Sequence, residues 1–408
     1  MKTHQVRKAL IGPKVIDRAR KARRLGIATA LIALVVLITA CGRQIPAYWP
    51  DLTVDGDTVY VAEMNGQVFA LQADSGQIVW SYPTIERGSG GLLGGCSAPA
   101  PSDGPFYAAP AVGQELLFLG SAGEQQRSLL GKGENQSGLR VLNRLGTLQW
   151  SFTGTADRTV ASPALDADTA YLPSSDYSVY AVDLNARDTR WVFETGNWVW
   201  ATPLVVEGTV YIASMDHALY AVRAEDGREI WRFDRPTSAL PAAPTHADGV
   251  LYFGSLDGHV YAVQADSGEL EWEHKVDGGV WATPVMADNA LYFGTLGGHI
   301  YALDTTDGSE LWAQSVGGEV RGTPAYANGT VYFGCEDGQL YAFDAQDGTQ
   351  GISPLGQQAD QAAIYTSPVF DGRYLYVVVS DGKVFALDPA RNAVVWQATP
   401  LNAADEEE

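Results

Sequence analysis

One short pattern returns every forty residues along most of this chain. In the stretch ALDTTDGSELW, 302–312, it reads Ala-x-Asp-x-x-x-Gly-x-x-x-Trp. Its tryptophans fall at Trp150, Trp191, Trp231, Trp272 and Trp312, spaced 41, 40, 41 and 40. Trp80 precedes the series and Trp396 follows it. Between Trp312 and Trp396 lies a degenerate copy, AFDAQDGTQGI at 342–352, with Ile352 in the tryptophan position. The chain therefore carries eight copies. A unit of this length cannot bury both its faces alone, so the copies must pack on one another.

The grammar inside each copy is that of strands. Residues 281–312 run WATPVMADNALYFGTLGGHIYALDTTDGSELW. A small-residue stretch ending in Pro284 leads into a first strand. ALYFGT reads as a second, HIYALD as a third and ELWAQ as a fourth. Gly297-Gly298, Asp257-Gly258 and Asp337-Gly338 supply the positive φ that tight hairpins require. No segment beyond residue 40 shows a helical period. Four short antiparallel strands repeated eight times predict an all-β fold, an eight-bladed β-propeller of four-stranded antiparallel blades. It is expected to span 47–399, with an acidic disordered tail at 400–408 and closure by packing of the last blade on the first.

The first forty residues read as an address. They hold nine Lys/Arg and one acid, Asp17, followed by the apolar run 25–40, which ends in ITAC at 38–41. Sixteen apolar residues are short for a membrane span of about 20. ITAC resembles the lipobox of bacterial lipoproteins, although Ile38 stands where Leu is usual. That resemblance implies a signal peptide at 1–40, a lipidated Cys41 and a tether at 41–46. Removing residues 1–40 leaves 18 basic against 47 acidic residues, a net −29. Such a surface repels nucleic acid and favours neutral or basic partners. Beyond Cys41 only Cys96 and Cys335 remain, too few for a disulfide framework, and no disulfide between them is expected.

The repeated motif is similar to the tryptophan-docking motif of the quinoprotein-type propellers. The resemblance covers about 44–399 and implies that Trp80, Trp150, Trp191, Trp231, Trp272, Trp312 and Trp396 wedge between blades as structural devices. Two branches share these repeats: dehydrogenases using pyrroloquinoline quinone and calcium, and the BamB-like outer-membrane assembly lipoproteins, which are non-catalytic scaffolds. The dehydrogenases need carboxylate ligands around one pocket and often an adjacent Cys pair. Here Asp266, Asp304 and Asp344 fall in hairpin turns, and no Cys pair occurs. The resemblance therefore points to a scaffold: a monomeric propeller with no catalytic residues, no cofactor and no metal. It implies partners among envelope proteins, attachment to the membrane through the lipid, and an exported location. A quinone dehydrogenase or a ligand-sensing propeller is the alternative. His259 and His299 share one register and His217 lies a position earlier; they read as exposed turn residues, not as zinc ligands.

Strand order places a docking face. In a four-strand meander the second-to-third hairpin and the link to the next blade emerge together. Two insertions, 84–105 and 121–138, must both crown that face, and each carries a leucine pair, Leu92-Leu93 and Leu129-Leu130. Two positions before the small residue and proline of each first strand stand Tyr107, Val160, Trp200, Pro241, Trp281, Arg321 and Tyr365. Trp, Tyr and Arg are enriched at binding hot spots. Tyr107, Trp200, Trp281, Arg321 and Tyr365 are thus expected to ring the mouth of the channel as a partner-binding face.

Overall fold

Each forty-residue unit becomes an antiparallel meander. In the unit 285–315 the strands are Val285–Ala287, Ala290–Gly294, His299–Asp304 and Glu310–Ser315, paired in chain order. Asp288 and Asn289 turn the first hairpin with φ of 49° and 61°, conformations that Asn and Asp tolerate better than other side chains. The second strand is buried throughout, and so are the four central residues of the third. Both faces of these strands are covered, so the sequence there is a near-continuous apolar run and not an apolar–polar alternation. Only the fourth strand, at the outer edge, alternates exposed and covered positions around Trp312. The chain is seen here in a computed structural model that describes residues 51–83, 104–123, 137–355 and 362–400, and every regular element among these residues is a β-strand.

Eight such sheets follow one another, seven of four strands and one of three. Among the described residues no blade takes a strand from another part of the chain. The buried apolar residues divide into eight clusters, one at each blade-to-blade junction. One of them joins Leu52, Val59 and Phe69 of blade 1 to Tyr376, Val384 and Trp396 of blade 8. That junction closes the ring by packing, and Arg373 adds an ion pair to Asp74 at 2.6 Å.

The repeated tryptophan is the outer lock of these junctions. Trp272 of blade 5 donates its indole N–H to the carbonyl of Thr305 in blade 6 at 3.0 Å. Trp80, Trp191, Trp231, Trp312 and Trp396 make the same bond to Arg144, Ala224, Ala265, Ala345 and Ala73. The motif glycine receives the ring. A Cβ on Gly308 would stand 2.5 Å from Cε3 of Trp272, and the φ of Gly308 is +71°, so a side chain there is excluded twice. Glycine and tryptophan thus belong to one contact made across two blades. Where glycine is missing the contact changes. Arg187 occupies the glycine place of blade 3 at φ 59° and lays its guanidinium 5.4 Å over the ring of Trp150.

The seventh blade departs from the four-strand expectation. It keeps Ala325–Ala327, Thr330–Gly334 and Leu340–Asp344, and the fourth strand shrinks to one bridge, Phe343 with Gln350. Ile352 does not dock; it is 76% exposed. Leu355, 1% exposed, joins the cluster between blades 7 and 8. Correspondingly, the glycine place of blade 8 is Asn392, which has no indole to accommodate.

Candidate partner-docking face

The second-to-third hairpins and the interblade links do meet on one face, and they are bonded to each other. Met215 N–H donates to Trp198 C=O, Leu296 to Gly279, and Glu336 to Glu319, each at 2.9 Å. In blades 3, 4 and 5 an aspartate staples the hairpin to the link. Asp257 accepts Thr237 N–H of the link, His259 N–H of its own turn and the hydroxyl of Tyr261. Asp176 and Asp216 repeat this arrangement with Tyr180 and Tyr220, at 2.7 Å in both. Burial, then the neighbouring carboxylate, pushes the Tyr180 phenol up to about 12. In blade 6 Gly297 replaces the aspartate, and Asp277 N–H donates directly to the Tyr301 hydroxyl. These carboxylates are therefore turn-forming groups with their acceptor positions filled.

On this rigid face the rim residues form two clusters. Arg321 of blade 7 lies between two rings, its guanidinium carbon 5.5 Å from the ring of Trp281 and 5.9 Å from that of Tyr365. Glu319 pairs with its Nη2, and Tyr365 donates to Glu336 at 3.3 Å. Trp281, Arg321 and Tyr365 thus stand on three consecutive blades and touch in sequence. Two blades before Trp281, Trp200 stacks on Trp198 with centroids 4.8 Å apart and planes 6° from parallel. Trp200 also donates to Ser175 Oγ at 3.2 Å. Tyr107 is half-buried on the approach to blade 2 and belongs to neither cluster. Leu92, Leu93, Leu129, Leu130, Cys41 and Cys96 lie outside the described residues.

Three residues of this face were absent from the predicted rim. Trp198 is 40% exposed and is the outer plate of the stacked pair. Tyr177 and His217 flank it, in the hairpins of blades 3 and 4. Both are exposed and hold φ of 73° and 77°, in the turn position that Gly258, Gly298 and Gly338 fill in blades 5, 6 and 7. A left-handed conformation costs a bulky residue roughly 1–2 kcal/mol. His217 is the exposed turn residue expected. His259 and His299 are instead half-buried, leaning on Asp257 and Asp277. Among the described residues no group of three or more His, Cys, Asp or Glu is placed to hold a metal. Cys335 is buried, and desolvation pushes its thiol up to about 12, so it is an unreactive core residue.

Blade 1 differs from the others just beneath this face. The residue following the second strand is Ser174, Ser214, Ser255, Thr295 or Cys335 in blades 3 to 7, fully buried in each. In blade 1 it is Glu63, also 0% exposed. Its Oε2 accepts Asn65 Nδ2 at 2.9 Å, while Oε1 is buried without a partner. Burial raises this carboxyl to about 7 against the smaller, opposing effect of Asn65. Asp51, at the start of the first strand, is likewise raised to about 6 by burial, although Ala109 and Leu52 donate to it.

Comparison with known proteins fits this architecture. The family profile described as "Outer membrane protein assembly factor BamB" matches residues 47–192, 136–282 and 256–408. The chain belongs to the BamB family. BamB from Moraxella catarrhalis superposes with a TM-score of 0.65 at 19% identity, covering 83% of this chain and 93% of that one. The computationally designed Ika8 protein superposes with a TM-score of 0.68 at 15% identity, covering 84% and 96%. At these identities the likeness is one of fold. No curated protein matches the chain in sequence.

Proposed function

We propose that this member of the BamB family is an exported, lipid-anchored scaffold that binds other proteins of the cell envelope and catalyses nothing. One observation carries the reading: rim aromatics and Arg321 are gathered on a single face whose backbone is fixed by hydrogen bonds between hairpins and links. Rigid loops that present Trp, Tyr and Arg suit binding with little ordering cost. The hairpin aspartates favour the same reading, since their oxygens are occupied by N–H and phenol donors and are poorly placed to hold calcium for a quinone. The net −29 of the exported part favours partners with neutral or basic contact surfaces.

Three experiments test it. Changing Trp281 and Arg321 to Ala should lower capture of crosslinked envelope partners by roughly tenfold or more, the scale of a hot-spot loss, and leave the β-sheet circular dichroism unchanged. Saturable binding of pyrroloquinoline quinone with calcium and alcohol- or sugar-dependent dye reduction would refute the scaffold. For the anchor, Cys41→Ser should abolish incorporation of labelled fatty acid and leave a larger unprocessed precursor. Labelling that persists on this variant would refute the lipobox.

A further inference from the structure

The two rim clusters differ in one respect. At Trp281 and Tyr365 the space between rings of neighbouring blades is filled by a guanidinium of the chain itself, with Glu319 beside it. At Trp198 and Trp200 the corresponding positions on the adjoining blades are Val160 and Pro241, and Trp198 keeps an exposed face. The three segments that build this second cluster, 174–178, 194–203 and 214–218, contain Asp176, Glu194 and Asp216 and no Lys or Arg. Tyr177 and His217 border it at the strained φ noted above. Backbone strain of this kind persists where surrounding structure imposes it, and it gathers at binding sites.

We infer that the Tyr177–Trp198–His217 ribbon receives an arginine side chain from a partner protein, laid on the open face of Trp198 as Arg321 is laid on Trp281. This rests on the scaffold reading and specifies the chemistry of one part of its docking face. An indole is the strongest of the aromatic plates for a cation, and guanidinium stacks on it better than ammonium because it is planar and weakly hydrated. The carboxylates of Asp176, Glu194 and Asp216 add a field of the right sign. The two cations nearest the cluster, Arg158 and Arg232, are paired with Asp157 and Asp234. Arg187 over Trp150 and Arg373 over Tyr374, at 5.4 and 4.4 Å, are further guanidinium–ring contacts in the same molecule.

The test uses the full-length chain in detergent micelles, labelled with ¹⁵N at its 11 tryptophans. The Trp198 and Trp200 indole signals are assigned from single Phe variants. Titration with argininamide should move these two signals saturably, lysinamide should act at least several-fold more weakly, and glycinamide should not act. Trp198→Ala should remove the response of Trp200 while the remaining indole signals keep their positions. The inference falls if argininamide leaves both signals in place, if glycinamide moves them equally, or if a chito-oligosaccharide moves them and argininamide does not. Loss of partner capture in Trp198→Ala without any response to argininamide would overturn this chemistry and leave the scaffold standing. An intact argininamide response with no partner captured by the parent chain would do the reverse.

Discussion

Trp272→Ala should destabilise the propeller by roughly 3–5 kcal/mol, the range for truncating a large buried side chain. The indole is 8% exposed, tilts against Tyr252 at 5.8 Å and gives its N–H to Thr305 in the next blade. Truncation removes these contacts together and opens a cavity at the outer end of the apolar cluster between blades 5 and 6. Denaturant titration of both proteins measures the difference. An unchanged midpoint would mean that the tryptophan does not lock the blades. The partner of this contact makes a sharper check. Gly308→Ala places a methyl against the same ring at positive φ, so it too should destabilise, and combining it with Trp272→Ala should cost less than the sum. Additive losses would show two independent sites.

Much of this was legible because the period is carried by residues that each have one job. Trp272 and Gly308 recur at fixed spacing since six of the eight junctions repeat the same contact, and a contact between neighbouring copies prints itself as a pattern. Hairpin aspartates such as Asp257 recur because each holds a link to a turn. What escaped the sequence is where a copy breaks the pattern. Tyr177 and His217 fill a glycine position, and only their φ values reveal the strain. Trp198 lies two residues outside the rim register, so nothing in its spacing marked it as the exposed plate over Trp200. The shrunken fourth strand of blade 7 was foreshadowed by Ile352, but what covers the junction instead, Leu355, depends on packing that no repeat encodes.

Glu63 is the clearest case of such a break, and it makes the stability of the ring fall as pH rises. Its carboxyl titrates at about 7 in the folded chain against an ordinary 4.5. Between those values the folded state holds a proton that the unfolded state has lost, so each step up in pH favours unfolding. Stability from this group is complete below about pH 4.5 and is lost by the time the pH has passed 7; a shift of this size corresponds to about 3 kcal/mol. Glutamine keeps the shape and the bond from Asn65 yet cannot ionise. Glu63→Gln should therefore match the parent near pH 4 and exceed it at pH 8 by up to about 3 kcal/mol. Other carboxylates, such as Asp257, shift in the opposite sense, which is why the quantity to follow is the difference between variant and parent across pH 4–8. Asp51→Asn should show the same sign over a lower window, between about 3.8 and 6. A Glu63→Gln curve that runs parallel to the parent through neutral pH would place the buried carboxyl in water, and the packing of blade 1 beneath the proposed docking face would have to be redrawn.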